Sequence, residues 1–223
     1  MKKGLILSLS LILSVFAYSQ EWFIGANLNN DYMLYEAPIG PGYHAGIQLY
    51  AEKGLTFDNE WRIGLETGFS QSIGLNYVVT TPVAFPILVP LVNAYESSVN
   101  WVPAHVTLSF NGYKPRRKAN MYGKLALGYA FGQTSTTLLS SVQFINGTPV
   151  VIPEVTTSGS WGGFSGAFRL GTLIELKQRT TYLDINLGYH ALYAKLYTDY
   201  VDPVLINGVQ LQIGIQYRFL KAR

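Results

Sequence analysis

Between Trp22 and Phe219 apolar and polar residues alternate with a period of two, in eight separate runs, with essentially no 3.6-residue periodicity. The last run is the cleanest. Val209, Leu211, Ile213, Ile215, Tyr217 and Phe219 form one face, and Gln210, Gln212, Gly214, Gln216 and Arg218 form the other. The same reading holds over Trp22–Asn29, Tyr43–Ala51, Trp61–Tyr77, Val102–Phe110, Met121–Phe131, Phe164–Leu176 and Leu183–Ala194. Eight strands with two chemically distinct faces follow.

The faces are the wrong way round for a soluble sheet. The polar face carries Gly, Ser, Ala, Asn and Gln with isolated charges, which suits a narrow interior that must fill and hydrogen-bond itself. The apolar face is large, branched and aromatic, with almost no charge over strand length. A closed barrel pairs every main-chain group, the condition for strands to cross lipid. The pattern therefore predicts an all-β, antiparallel up-and-down transmembrane β-barrel of eight strands. Ten is the alternative, if apolar runs in Val78–Glu96 or Val142–Val155 join the wall. A soluble lipocalin-like periplasmic barrel with an apolar ligand inside is the competing architecture.

With Trp22 starting on the periplasmic side, the inner connections are Glu52–Glu60, Asn111–Asn120 and Gln178–Thr181. The outer ones are Asn30–Pro41, Val78–Ser98, Gln133–Ser160 and Thr198–Gly208. Short inner and longer outer connections match bacterial outer-membrane barrels. Charge sorts the same way. Lys53, Lys114, Arg116, Arg117, Lys118, Lys177, Arg179, Lys221 and Arg223 fall near the inner rim. Asp31, Glu36, Glu96, Glu154, Asp199 and Asp202 fall in the outer loops, and Lys195 is the one base near that rim. Outward aromatics form two levels, the arrangement of interfacial girdles. Trp22, Trp61, Phe110, Tyr217 and Phe219 lie at the inner level, and Tyr43, Tyr77, Tyr129, Phe131, Phe164 and Tyr193 at the outer.

Composition narrows the class further. The 223 residues are 48% hydrophobic and 13% charged, about half the usual charged share, which excludes disorder. There is no cysteine, hence no disulfide scaffold, thiolate metal site or cysteine nucleophile. Met1-Lys2-Lys3, the apolar stretch Gly4–Phe16 and the small residues of Ala17-Tyr18-Ser19 read as a signal peptide over residues 1–19, leaving a barrel domain over 20–223. Phosphate-loop, dinucleotide, calcium and zinc signatures are absent, and Lys114-Pro115-Arg116-Arg117-Lys118 reads as a solvated turn. Nucleic acid is not an expected partner.

At this point the chain resembles the small eight-stranded, porin-like outer-membrane barrels of Gram-negative bacteria. The ending GVQLQIGIQYRFLKAR looks like their terminal strand, whose alternation and final aromatic are read by the barrel-assembly machinery. Tyr217 and Phe219 would carry that signal, although four residues follow Phe219 where the family pattern stops. The Tyr217-Arg218-Phe219 ending and the short leader look especially like barrels of the Bacteroidetes. The resemblance implies export, insertion into outer-membrane lipid with loops facing outside, and a monomeric barrel. It implies no particular activity.

The inward face collects Arg62, Glu66, Lys124, Arg169, Glu175, Asp184 and Arg218. Buried charges must be paired, so these residues are expected to form a hydrogen-bonded lumenal cluster, with Arg218 against Glu175 or Asp184. His44, His105 and His190 also point inward by parity, without metal-ligand spacing, so neither a metal nor a cofactor is expected. The residue after His190 is not the serine that lipid-modifying barrels carry, and neither Ser72 nor Ser109 is obviously beside it. An enzyme is not expected. The outer loops 78–98 and 133–160 are apolar, and Ile145-Asn146-Gly147-Thr148 reads as a hairpin turn. Such loops are expected to dock on a protein partner, with a cap folded over the barrel mouth, contact with the outer leaflet or a small hydrophobic ligand site as the alternatives. The expected function is envelope structure or surface interaction around a plugged lumen, with a narrow channel or transport barrel as the alternative.

Overall fold

The computed structural model describes residues 21–34, 41–56, 59–73, 75–81, 91–112, 118–139, 141–145, 148–177, 180–194 and 204–219. In chain order the strands are β1 (Trp22–Leu34), β2 (Pro41–Gly54), β3 (Trp61–Ile73), β4 (Leu75–Thr81), β5 (Leu91–Asn111) and β6 (Ala119–Leu138). They continue as β7 (Ser141–Ile145), β8 (Thr148–Ile152), β9 (Val155–Lys177), β10 (Thr181–Ala194) and β11 (Val204–Phe219). Strands β3 and β4 occupy one wall position, both pairing with β5. The wall then runs β1, β2, β3 with β4, β5, β6, β9, β10, β11, all antiparallel. It closes when β11 pairs with β1 from Trp22↔Phe219 to Leu34↔Asn207. The result is an eight-stranded barrel. The ten-strand alternative fails because, among the described residues, β7 and β8 pair only with each other, in a separate two-stranded sheet.

The faces sort as the alternation predicts. Leu28, Leu65, Leu127, Leu187 and Ile213 are exposed on the outer wall, whereas Glu52, Glu66, Arg169, Asp184 and Gln212 are each 3% exposed or less inside. A soluble lipocalin-like barrel requires the reverse. On β10 the apolar band runs from Thr181, opposite Tyr217, to Tyr193, opposite Phe164. Twelve steps of about 3.3 Å at a tilt of about 45° stand roughly 28 Å high, close to the hydrocarbon thickness of a bilayer.

Strand limits differ from the sequence reading at the upper rim, the end with the longer connections. Much of the expected loops Val78–Ser98 and Gln133–Ser160 is strand, and β1 and β11 likewise run into the expected loops beside them. Pairing outlasts the apolar face because main-chain bonds do not depend on it. Asp31, assigned to an outer loop, sits inside the barrel on β1 at 1% exposure. The interior also holds more bulk than expected. Met33, Val99, Trp101, Ala130, Trp161, Leu192, Ala194 and Ile206 form an apolar layer within its upper part, while Phe23, Tyr50, Tyr122 and Tyr182 are buried lower down. The leader over residues 1–19 and the turn pair Asn146-Gly147 lie outside the described residues. So do Glu36, Lys114, Arg116, Arg117, Arg179, Lys195, Asp199, Asp202, Lys221 and Arg223.

Candidate functional site

The polar interior is built in tiers along the barrel axis. At the lower rim Arg218 places both Nε and a terminal nitrogen on Glu21 Oε2, at 2.6 and 2.5 Å. Asn59, held at a φ of 59°, donates to the same oxygen at 2.8 Å. Of the two carboxylates expected for Arg218, Glu175 or Asp184, Asp184 is held by other donors one tier up. Glu21 precedes the first alternating run, so parity could not point to it. Glu175 is half-buried near this rim.

One tier up, Lys124 Nζ lies 2.7 Å from Glu52 Oε1 and 3.8 Å from the centre of the Tyr50 ring. Arg62 stacks its guanidinium 3.5 Å from the centre of Phe23 and reaches Glu52 at 4.0 Å. Asp184 is held by hydroxyl and amide donors: Tyr122 at 2.6 Å, Tyr50 at 3.1 Å and Asn27 at 3.1 Å. Both tyrosines reach it by lying across strand glycines, Tyr50 over Gly25 and Tyr122 over Gly171, where a Cβ would collide with the ring.

A run of amides climbs from there, Asn27 to Gln212, Gln212 to Gln48 and Gln48 to Glu66. Glu66 anchors the middle tier. Arg169 clasps both its oxygens, at 2.7 and 2.9 Å, and sends Nε to Gln210 at 2.7 Å. His105 Nδ1 lies 3.1 Å from Glu66, and its Nε2 lies 2.9 Å from Ser165 Oγ, which is also 3.0 Å from His190 Nε2. The tautomers follow from the bonding. A carboxylate only accepts, so His105 carries a proton on Nδ1, and a neutral His105 accepts the Ser165 hydroxyl at Nε2. In that arrangement His190 donates from Nε2 and its Nδ1 is an acceptor, an atom buried without a partner.

Ser165 is the residue that sequence reasoning missed. His105, Gly128 and Ser165 face one another in one register row across β5, β6 and β9. Gly128 has no side chain to block the reach from His105 to Ser165, and its Cβ would run into the carbonyl of Ala104. Gly128→Ala should therefore cost about 1–3 kcal/mol through overpacking and break the imidazole–hydroxyl contact. Urea unfolding in lipid, with histidine ring-nitrogen NMR, checks both. Glu66, His105 and Ser165 are the residue types of a nucleophile relay. Here, however, Ser165 is buried and bonded by two imidazoles, and the adjoining cavity of about 10 Å³ has room for one water. Five members of the expected cluster, Arg62, Glu66, Lys124, Arg169 and Asp184, are buried in this interior.

On the outer wall, aromatics meet in register. Trp61 contacts Phe110 with ring centres 5.0 Å apart, Tyr217 contacts Phe219 at 4.8 Å, and Trp22 stands opposite Phe219. Higher up, Tyr32 meets Tyr43 at 4.9 Å, Tyr129 meets Phe131 at 5.0 Å, and Tyr129, Phe164 and Tyr193 share one row. Tyr77 lies on β4, and its side chain is outside the described residues.

A closed antiparallel ring of eight strands, polar and packed inside and apolar outside, defines the outer-membrane type of β-barrel. No protein-family model matches the chain, and no curated protein matches it in sequence. Among solved structures it is similar to Neisserial surface protein A at 8% identity and a TM-score of 0.47, covering 89% of this chain and 97% of that one. It is similar to the attachment invasion locus protein Ail of Yersinia pestis at 14% identity and a TM-score of 0.46, covering 90% and 99%. It is also similar to OprG of Pseudomonas aeruginosa at 12% identity and a TM-score of 0.39, covering 91% and 97%.

Proposed function

We propose that the chain is a monomeric barrel of a Gram-negative, Bacteroidetes-like outer membrane, with its lower rim in the periplasm and a closed lumen. It acts in envelope structure or surface interaction through its upper part, around residues 78–98 and 133–160. The observation that carries this reading is the filled interior: ion pairs at three heights, amide bridges between them and an apolar layer above. A wall of eight strands is only just wide enough to be filled in this way. The basic lower rim, the leader over residues 1–19 and the two aromatic levels support the orientation. Tyr217 and Phe219 present the assembly signal at the end of β11. Planar-bilayer recording of the purified barrel should give no steady single-channel current. A steady current would defeat the closed reading.

The transport alternative draws on one observation, the hydrogen-bonded chain His190–Ser165–His105–Glu66. If that chain carried protons, Ser165→Ala would cut the flux of the parent. In the closed barrel, parent and variant are equally silent.

A further inference from the structure

The water-sized cavity of about 10 Å³ beside His105 and His190 is also lined by Asn29, Asp31, Ser70 and Gln210. Asn29 Oδ1, Asp31 Oδ1, Ser70 Oγ and His190 Nδ1 are all buried, and none of these four atoms has a hydrogen-bond partner within the protein. All four side chains are more than nine-tenths buried, with Asp31 at 1% exposure and Ser70 at 2%. Unmet polar atoms gathered around one such space call for a water or an ion.

Register brings the oxygens together. Asn29 and Asp31 are successive inward positions of β1. Asn29 stands opposite Gly46 on β2, and Gly46 stands opposite Ser70 on β3. Two strand spacings, about 10 Å, separate the main chains of Asn29 and Ser70. Gly46 leaves that gap open, since a Cβ there would run into the Phe69 carbonyl and Ser70 Cα. One position up on β1, Asp31 faces Gln210, whose amide serves its second carboxylate oxygen.

Charge selects the occupant. Among the described residues the buried interior sets Asp31, Glu52, Glu66 and Asp184 against Arg62, Lys124 and Arg169. Glu21 and Arg218 cancel each other at the rim. With the histidines neutral, one negative charge is in surplus, and Asp31 has the least support. Glu66 has Arg169, Glu52 has Lys124 and Arg62, and Asp184 has tyrosine and asparagine donors. Arg169 also borders the cavity, but its guanidinium is committed to Glu66 and Gln210. A water would bring two hydrogens to three acceptors, on Asn29, Asp31 and His190, and would cancel no charge. A cation needs no hydrogens and favours hard oxygens. A surplus of one charge and room for one water select a small monovalent ion.

We propose that Asn29 Oδ1, Asp31 Oδ1 and Ser70 Oγ hold a sodium ion inside the barrel, which balances the charge of the lumen. A proton shared between Asp31 and His44, its register partner on β2, is the competing way to cancel that charge.

The test is urea unfolding in lipid vesicles at constant ionic strength, with sodium replacing N-methylglucamine, a cation too large for the cavity. An ion held by the folded barrel alone should lower the unfolding equilibrium constant about tenfold (~1.4 kcal/mol) for each tenfold rise in sodium above its dissociation constant. Asp31→Asn should remove the dependence. Ser70→Ala keeps the carboxylate and loses one ligand, so it should need about tenfold more sodium for the same effect. It also carries the test if Asp31→Asn does not fold. A parent whose stability ignores sodium overturns the proposal. If that stability then falls as pH rises, a proton cancels the charge instead; if it ignores pH too, the cavity holds water. An equal sodium slope in the parent and both variants would place the ions elsewhere and overturn the site. The same slope with potassium would overturn the assignment to sodium.

Discussion

Replacing Arg169 by methionine is expected to cost the folded barrel about 3–5 kcal/mol, because it leaves a buried carboxylate without the cation that clasps it. Both oxygens of Glu66 receive guanidinium hydrogens, and both partners are buried from water. Methionine fills much of the volume but supplies no donor, and Gln210 loses its bond from Arg169 Nε as well. The measurement is urea unfolding in lipid vesicles, read as a lower midpoint. Adding Glu66→Gln to the variant should recover part of the loss, since a neutral amide is far cheaper to bury than an unpaired charge. A midpoint equal to the parent's would mean that water reaches Glu66, and the sealed-lumen reading would fall with it. Loss without recovery in the double variant would shift the role from the ion pair to the shape of Arg169.

Parity alone sorted faces over most of the wall. Arg169 points in and Leu170 out, and the same rule correctly placed His44, His105 and His190 inside. It failed where the chemistry of the two faces changes phase. Above Val102 the outward residues become polar, at Asn100, Gln133 and Ser160, while the inward ones become apolar, at Val99, Trp101 and Trp161. Strands continue through this inversion, but a pattern that expects apolar residues outside reads it as loop. Asp31 was lost for the same reason: the outward Asn30 ends the apolar alternation, although Asn29, Asp31 and Met33 keep the inward parity of β1. Contacts across the lumen were less legible still. His105 meets Ser165 on a strand that is not its neighbour, through the gap left by Gly128. That meeting depends on register, which alternation within single strands does not contain. Glu21, which Arg218 meets, was not offered by parity because it stands just outside the repeating pattern.

Leu187→Arg is the second large expected effect, about 2–4 kcal/mol of destabilisation in a bilayer. Leu187 is 57% exposed on the outer face of β10. It lies midway along that strand between Thr181, in the row of Tyr217, and Tyr193, in the row of Phe164 and Tyr129. If those rows sit at the two lipid interfaces, an arginine at 187 starts near the midplane, where its side chain is least able to reach water. The same substitution at Tyr193, at the upper aromatic level, should cost about 0–1 kcal/mol for the charge itself, because cost falls steeply with distance from the midplane. The pair thus measures depth as well as face. Unfolding both variants and the parent in phospholipid vesicles should give midpoints in the order parent, Tyr193→Arg, Leu187→Arg. In detergent micelles, whose apolar core deforms around a charge, the gap between the two variants should shrink. If Leu187→Arg unfolds with the parent in vesicles, the outer wall of β10 does not face hydrocarbon and the membrane-spanning reading is lost. If Tyr193→Arg proves the costlier of the two, the apolar band extends above the upper aromatic row. The polar rows of β5, β6 and β9 would then leave the membrane higher than Gln133 and Ser160.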